Sequence, residues 1–568
     1  MLNLRQAQSI FPIPLSNDRR TWDGISPDVR RELLSEADEA VRNSPRPLSA
    51  ALTMTSPEEY QSAYAEHRAR LDALIAGACV TDDGRYAHAL LDEIWMLLEC
   101  SGWCDPSVDN PSLPDIEDPR IDASAAQTAC SLAIAAQILA PQLESISPKI
   151  LPRIARELQR RVIVPLSAER TFAICIAPKD RLPAFEALLS TALLTDAEGE
   201  ERWLCIRYLC ELIEKQTATL PRDGGMRGGL EQYVRDACAL ANIFYMLSIA
   251  TDGAVELRDE AAFMRMVRMP LRLHVTEAFF LNPGGESPAP NISRDALFLL
   301  GDAGRSADLC ALAAFLNRNY ANRPPKLWLM DTLRCALYRN VFLREPARIV
   351  QYPTLRIASM QLLGARMGSF YAAVLGGANA PDAGHLDVGD FTLFYRDRPI
   401  IIAPGGCVES SMHSVPEVEA HGQQFGRGEP PSEADCRFDS DLTLLSVGIA
   451  HAYPAAASLL GWQRSVMMTP QDDVVRLMDV VDFERGQSKR LTFVFMTPYA
   501  PQLGDGEILL DQDVLLTWEG ALIPSVERVA LPDDGTRRFL GASTYRIRLE
   551  TDGPVLGGQF LFLFEPAT

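Results

Sequence analysis

The period of the hydrophobic pattern changes once along this chain, near residue 350, and this change constrains the fold more than any other feature. Before it, apolar residues recur at helical spacing, as at Leu132, Ala135, Ala136 and Leu139, which would lie on one face of a helix that stops at Pro141. The same spacing occurs in residues 87–98, 183–194, 201–214 and 233–249, and breaks rich in Pro, Gly and Asp separate these segments. The first part of the chain is therefore predicted to be a series of helices.

After residue 350 the period becomes two, which indicates β-strands. Apolar residues alternate with others in 491–496 and 545–550, and residues 388–395 with 400–403 are predicted to form a hairpin. These strands follow one another through turns without intervening helices, which favours an antiparallel sandwich over βαβ units. We therefore predict a multidomain α + β protein with a helical domain over residues 1–350 and an antiparallel β-sandwich over residues 351–568.

Length and charge limit the classes of ligand. The chain has 568 residues, with 54 Lys and Arg against 75 Asp and Glu, so its formal net charge is −21. Nucleic-acid binding relies on clustered cations that neutralise phosphates, and an acidic chain repels polyanions, so we expect no nucleic-acid partner. Any anionic ligand would need a local positive pocket.

Targeting signals and cysteine usage predict a cytoplasmic protein. The first residues lack a basic segment followed by an apolar one, and no run of 18 apolar residues occurs, so neither secretion nor a membrane span is expected. The twelve cysteines form no C-x-x-C pair, which is typical of thiols in a reducing compartment.

Histidines are concentrated in the β region, where four of the seven lie between His385 and His451. Asn379, His385 and Asp387, followed by His413, form the densest set of metal ligands or acid–base groups in the chain. From the residues alone, the alternative is that they are surface residues or hydrogen-bonded core residues.

The order of several motifs resembles a known family. Residues 376–391, GGANAPDAGHLDVGDF, are similar to the signature G-G-H-N-x3-H-N-H-N-D-V-G-x-F of the heparinase II/III-like polysaccharide lyases. Residues 99–106 resemble the family's E-x-S-S-W-x-x-P, residues 223–225 with Tyr233 its D-G-G…Y, and residues 411–423 its H-N-x-P…G-x-Q. The ordered set covers about residues 20–565.

The resemblance implies an incomplete α/α toroid of helical hairpins followed by an antiparallel β-sandwich, with the substrate cleft between them. It also implies β-elimination at a uronic acid of an acidic polysaccharide. That reaction needs a group that neutralises the uronate, a base for the C5 proton and an acid for the departing O4.

The resemblance assigns roles to particular residues. Tyr233 would be base, acid or both, provided that a nearby cation such as Arg235 lowers its pKa from about 10. His385 and His413 would position or polarise the sugar, and Trp103 would form a wall on which it stacks. The remaining candidates for contact with the substrate are Arg235, Asn379, Asp387 and Gln423.

Several family positions are substituted. Ala378 and Ala383 stand at two family histidines, Ala403 at an aspartate among the metal ligands, and Val108 at a further histidine. Residues 174–184, where the family has a uronate-binding N-N-W segment, contain neither Asn nor Trp.

These substitutions leave His385 and His413 as the family's metal ligands. A tight zinc site needs three or four ligands, so it would require Asp387, Asp382 or Cys407 in addition. We therefore expect no cofactor, with zinc as the alternative.

Three functional hypotheses follow, and each has an oligosaccharide as the partner. None of them predicts the oligomeric state. The first is a lyase for a short or weakly charged uronate-containing glycan. The second is a catalytically degenerate pseudoenzyme that keeps the scaffold as a carbohydrate-binding or assembly module. The third is a toroid glycoside hydrolase that uses two of Glu99, Asp105, Asp223 and Glu231, placed about 5–10 Å apart.

Overall fold

The computed structural model describes most of the chain. The described residues are 12–81, 83–108, 113–170, 174–195, 199–225, 228–254, 261–285, 287–321, 326–379, 384–406, 408–419, 421–426, 434–531 and 534–567.

Helices dominate the chain up to residue 342. The α-helices are Arg19–Trp22, Pro27–Arg42, Ala50–Thr55, Pro57–Val80, Ala87–Glu99, Ala123–Ile138, Ala140–Ile146, Ile150–Leu158, Val164–Ser167, Arg181–Leu194, Glu200–Ala218, Leu230–Ala250, Ala261–Leu273, Arg294–Ala303, Ala307–Asn319 and Leu329–Phe342, with one more, Asp534–Leu540, in the C-terminal part.

The helix Ala123–Ile138 shows how local chemistry sets these bounds. It begins after Asp122, whose side chain accepts a hydrogen bond from the Ala125 amide, a typical N-cap. It ends at Ile138, and the chain bends by 85° into Ala140–Ile146, with Pro141 in the first turn of the second helix, where proline is tolerated. In the part of the chain that the structure describes, no single helix meets the length and apolarity needed to cross a membrane, although this bent pair meets both together.

Strands dominate the rest. They are β1 (His274–Thr276), β2 (Phe279–Phe280), β3 (Thr354–Ile357), β4 (Leu362–Met367), β5 (Phe370–Leu375), β6 (Phe391–Tyr395), β7 (Arg398–Ile401), β8 (Glu417–Val418), β9 (Asp435–Phe438), β10 (Thr443–Gly448), β11 (Leu459–Thr469), β12 (Val474–Phe483), β13 (Leu491–Thr497), β14 (Gln502–Leu503), β15 (Glu507–Leu510), β16 (Val514–Trp518), β17 (Leu522–Ala530), β18 (Ser543–Thr551) and β19 (Gly557–Pro566).

The strands of the C-terminal part form three antiparallel sheets. The first has the order β3-β4-β5-β6-β7, the second β14-β15-β16-β19-β12-β11-β10-β9, and the third β17-β18-β13-β8. The predicted hairpin is β6 and β7, in which Tyr395 pairs with Arg398 across Arg396 and Asp397. Both loop residues have positive φ, 47° and 64°, as a two-residue type I′ turn requires.

The helical and β parts share a hydrophobic core. One cluster lies within the helices and another within the sheets, but a third joins Leu230 and Phe263 of the helical part to Leu355, Leu362 and other residues of the first sheet. The predicted fold class, a helical toroid followed by antiparallel β structure, is confirmed. The last helix before the sheets ends at Phe342, and the first of their strands begins at Thr354. No disulfide joins the described cysteines.

Candidate functional site

Two loops of the first sheet bring His385 and His413 together. His385 lies in the connection from β5 to β6, and His413 follows β7, directly after a 3₁₀ turn over Ser410–Met412. The ring centroids are 5.3 Å apart with the rings tilted by 51°. The two rings line what we call the histidine pocket, together with Asp387, Asp390 and the segment 280–284 of the helical part.

The histidine pocket is small. Its cavity measures about 50 Å³. A water molecule occupies about 30 Å³ in the liquid, and pockets for small organic ligands measure roughly 300–1,000 Å³. In this conformation the pocket therefore holds one or two water-sized groups rather than a sugar ring.

Carboxylates flank both histidines. Asp390 Oδ2 lies 3.8 Å from His413 Nδ1, while Asp390 Oδ1 accepts a hydrogen bond of 2.7 Å from the Ser414 amide. Burial lowers the pKa of His385, the charge of His413 lowers it further, and Asp387 and Asp390 oppose the shift. His385 is thus predominantly neutral at neutral pH and has a ring nitrogen that can accept a proton.

Asn379 and Gln423 hold the His385 loop in place. Gln423 Oε1 accepts hydrogen bonds from Asn379 Nδ2 (2.8 Å) and from the Val388 amide (3.1 Å), and Gln423 Nε2 donates to the Val388 carbonyl (2.5 Å). Asn379 Oδ1 accepts from the Asp387 amide. Both side chains are buried, and these contacts occupy their polar groups. We therefore assign Asn379 and Gln423 to positioning the loop, in place of the substrate contact that the sequence predicted.

A buried ion pair fixes both histidine loops to the second sheet. Arg464 on β11 and Asp479 on β12 are fully buried and 2.8 Å apart. Arg464 also donates hydrogen bonds of 2.8 Å to the carbonyls of Gly389, next to the His385 loop, and of Ser414, next to His413. One guanidinium thereby sets the distance between the two loops.

Tyr233 does not join the histidines. It lies on the helix Leu230–Ala250 within the core shared by the two parts of the molecule, and its hydroxyl donates a 2.8 Å hydrogen bond to the Gly224 carbonyl. Burial raises the pKa of Tyr233, and the cation that opposes this shift is Arg272 rather than Arg235. Since elimination needs an accessible hydroxyl with a lowered pKa, this placement contradicts the predicted role of Tyr233.

Trp103 and Arg235 also differ from expectation. Trp103 is buried, its indole N–H donates to the Leu97 carbonyl, and Arg161 lies 4.5 Å from its ring centroid, so it is a core residue and not a sugar-stacking wall. Arg235 is exposed and forms a 2.9 Å ion pair with Asp180. It lines the cavities described next, and its contact with a ligand stays a prediction.

Two adjoining cavities lie in the helical part. The larger, which we call the toroid cleft, measures about 600 Å³, and the smaller, the Glu186 cavity, about 160 Å³. Arg235 and Trp328 line both, so the two cavities are neighbours. Asn282, which lines the histidine pocket, donates to Glu231 Oε2 at the wall of the Glu186 cavity. The histidine pocket, the Glu186 cavity and the toroid cleft therefore lie one after another in space.

The toroid cleft is polar and more acidic than basic. Its charged lining residues are Glu58, Arg68, Asp105, Asp122, Asp180 and Arg235. Arg235 is paired with Asp180, and Arg68 donates to Ser124. A polyanion would therefore find no cluster of cations among the described lining residues.

The four carboxylates proposed for a hydrolase are not brought to one place. Asp105 lines the toroid cleft and Glu231 the Glu186 cavity. Asp223 accepts hydrogen bonds from the amide and hydroxyl of Ser359, and Glu99 is exposed at the end of its helix. This arrangement does not favour the third hypothesis.

Three cavity residues were missed by sequence reasoning, namely Glu186, Trp328 and Asp331. Glu186 stands in the apolar run RLPAFEALLSTALL, and Asp331 follows the apolar segment LWLM. A carboxylate isolated in an apolar helical segment is the signal that could have found them, because burial of such a group requires a partner or a function.

The residues in the described ranges do not fit a tight metal site. No group of three or more His, Cys, Asp or Glu side chains there is arranged to hold a metal ion. Asp382, Ala383 and Cys407 lie outside the described residues.

We predict that Zn²⁺ at up to 100 µM and EDTA each shift the melting temperature by less than about 1 °C, whereas a site filled to 100 times its Kd would add about 2.7 kcal/mol to the free energy of unfolding. A zinc-dependent shift of several degrees would contradict this.

Comparison with known proteins supports the fold. No family model and no curated protein matches the chain. Among solved structures, heparinase III matches with a TM-score of 0.64 at 10% identity, covering 100% of this chain and 88% of that one. A mutant of heparan sulfate lyase from Pedobacter heparinus matches with a TM-score of 0.55 at 12% identity, covering 99% and 86%. The chondroitin AC lyase of Streptomyces coelicolor A3, in complex with chondroitin sulphate, matches with a TM-score of 0.58 at 11% identity, covering 97% and 82%.

The chain therefore has the fold of the polysaccharide lyases. Within that class it is similar in structure to heparinase III over its whole length. At these identities the comparison shows the fold alone.

Proposed function

We propose that this chain binds a short, weakly charged oligosaccharide in the toroid cleft and the Glu186 cavity, and that it does so without elimination chemistry at Tyr233. The observation that carries the proposal is the burial of Tyr233, whose hydroxyl is engaged by the Gly224 carbonyl. A lyase fold is kept, but the residue expected to move protons lies in the core.

The size and charge of the cleft support a small and weakly charged glycan. At about 600 Å³ the toroid cleft is within the range of small-ligand sites, which is roughly 300–1,000 Å³. Its lining is polar, as hydroxyl-rich ligands require, and its carboxylates outnumber its cations. Trp328, half-buried between the two cavities, provides an aromatic face for a sugar ring.

The test is calorimetric titration with neutral, uronate-containing and heavily sulfated oligosaccharides. We expect the neutral and uronate-containing ones to bind more tightly than the sulfated ones. Replacement of Trp328 by Ala is expected to weaken binding about tenfold, as the loss of a buried aromatic anchor does. Trp203→Ala, at an exposed tryptophan of the helix Glu200–Ala218, is the matched control. Tighter binding of the sulfated probes, or equal affinities in the two tryptophan variants, would refute the proposal.

Tyr233→Phe separates binding from chemistry. We expect this variant to bind the same oligosaccharides within about twofold, because the hydroxyl is buried and donates to the Gly224 carbonyl. Its free energy of unfolding is expected to fall by about 1–3 kcal/mol, since the Gly224 carbonyl loses its donor. Both quantities are measured by titration and by chemical unfolding. A glycan affinity lowered tenfold or more would place the hydroxyl in the binding site and contradict the assignment.

A second candidate function is β-elimination through the histidine pair. The observation that favours it is the contact of His385 and His413 beside Asp387 and Asp390, where one ring can take a proton and the other return it. This reaction requires the histidine pocket to open beyond its present volume of about 50 Å³. If uronate oligosaccharides yield a 4,5-unsaturated product, His413→Ala should lower that rate by about 10²–10⁴ while leaving binding in the toroid cleft intact. Absence of product from the wild-type protein leaves the binding function alone.

A further inference from the structure

The Glu186 cavity contains an acid group whose hydrogen bonding is incomplete. Glu186 lies on the helix Arg181–Leu194 and is only 4% exposed. Within the described part of the chain its Oε1 atom has no hydrogen-bond partner. A buried carboxyl oxygen without a donor costs free energy, so its presence at the wall of a cavity points to a ligand that supplies the missing contact.

A second acid, Asp331, lies in the same cavity. Asn242 Nδ2 donates a 2.9 Å hydrogen bond to Asp331 Oδ1, and Arg334 donates to Asn242 Oδ1. Burial raises the pKa of Glu186 well above its usual range, and the charge of Asp331 raises it further. Burial raises the pKa of Asp331 as well. One buried guanidinium faces two carboxyls, and the raised pKa of Glu186 favours its protonated form.

The cations at the cavity wall are already engaged. Arg235 pairs with Asp180 at 2.9 Å, and Lys326 pairs with Glu36 at 2.8 Å. A carboxylate or sulfate ligand would have to compete with these partners and would also meet Glu231 and Asp331. An uncharged ligand does not incur this penalty.

We propose that the Glu186 cavity is a subsite for one uncharged sugar residue, whose hydroxyl groups bond with the Glu186 carboxyl and whose ring packs against Trp328. This inference rests on the proposed function and specifies which part of the glycan the cavity takes. A protonated carboxyl both donates and accepts, and so does a sugar hydroxyl, so the two are complementary.

The volume and the lining of the cavity agree with a single sugar residue. Its volume of about 160 Å³ equals that of about five liquid water molecules at about 30 Å³ each. Val234, Ala239, Ile292 and Leu327 form an apolar wall beside the carboxyls, which suits the C–H face of a sugar ring. The rest of an oligosaccharide would continue past Trp328 into the toroid cleft.

The test compares Glu186→Leu with Glu186→Gln by titration with cellotriose, maltotriose and mannotriose. We expect the Leu variant to weaken binding of the neutral trisaccharide that the wild type binds best by about tenfold, because the sugar hydroxyls lose their partner. The Gln variant should stay within about threefold, because an amide also donates and accepts. Thermal unfolding confirms that each variant is folded.

Ala239→Leu provides a second variant that leaves both carboxyls in place. Its larger side chain fills the cavity, so it should also weaken binding about tenfold without altering the acid pair. Infrared difference spectra should show a protonated carboxyl band at neutral pH that is lost in Glu186→Gln.

The outcomes separate this inference from the proposed function. If none of the three trisaccharides binds the wild-type protein, the subsite is overturned, and if the uronate-containing oligosaccharides also fail to bind, so is the proposed function. If one binds and its affinity is unchanged in Glu186→Leu and Ala239→Leu, the proposed function stands and the subsite is overturned. Equal losses in the Gln and Leu variants, or no protonated carboxyl band, would overturn the role of Glu186.

Discussion

Replacement of Arg464 by Met is expected to lower the free energy of unfolding by about 3–5 kcal/mol, as removal of one partner of a buried ion pair does. The variant leaves the Asp479 carboxylate fully buried without its cation, and the carbonyls of Gly389 and Ser414 lose their donor. Chemical unfolding followed by circular dichroism measures the change.

Two further variants control for the loss of charge. Arg476→Met breaks an exposed ion pair with Asp472 and should cost less than about 1 kcal/mol. The double variant Arg464→Met with Asp479→Leu should regain part of the loss, because no charge is then left buried. A cost below about 1 kcal/mol for Arg464→Met alone would show that the guanidinium does not hold the two loops.

Gln423→Leu is expected to cost about 3 kcal/mol, since buried polar groups left without partners cost roughly 1–3 kcal/mol each. The variant removes both hydrogen bonds to the backbone of Val388 and the contact with Asn379. The loss of stability should be confined to the loop that Gln423 holds. Amide hydrogen exchange over residues 384–390 should therefore become faster by at least about tenfold.

The adjacent Gln424 is the matched control, because its side chain is exposed. Gln424→Leu should change stability by less than about 0.5 kcal/mol and leave exchange over residues 384–390 unaltered. Equal exchange rates in the two glutamine variants would refute the assignment of Gln423 to positioning the His385 loop.

The predictions from periodicity identified the type of several elements correctly. Residues 201–214 were predicted to be helical and lie within Glu200–Ala218, and residues 491–496 lie within β13. The hairpin β6–β7 was also predicted, since Arg396 and Asp397 separate two apolar runs. Period and turn chemistry are local properties, so a sequence reveals them.

The predictions for the site depended on contacts between distant segments. Periodicity places Tyr233 on a helix, but the core that this helix shares with residues of β3 and β4 surrounds the side chain, and its hydroxyl meets Gly224 and not the histidines. Gln423 belongs to the family motif over residues 411–423, which the sequence shows. Its role in holding Val388 is visible only in the folded loop. Glu186 lay outside every family motif, so only the cavity identified it.

The acidic balance of the sequence agrees with the lining of the toroid cleft. The formal net charge of −21 is reflected in the lining of the toroid cleft, where the described carboxylates outnumber the cations. The chain thus combines a polysaccharide-lyase fold with a cleft whose described lining is more acidic than basic.

The most direct test of the central claim is one experiment on the wild-type protein and Tyr233→Phe with the same panel of uronate oligosaccharides. Titration measures binding, and ultraviolet absorbance measures the 4,5-unsaturated product. We predict binding by both proteins and no product formation that depends on Tyr233. Product formed by the wild type at a rate that falls 100-fold or more in Tyr233→Phe would contradict the account.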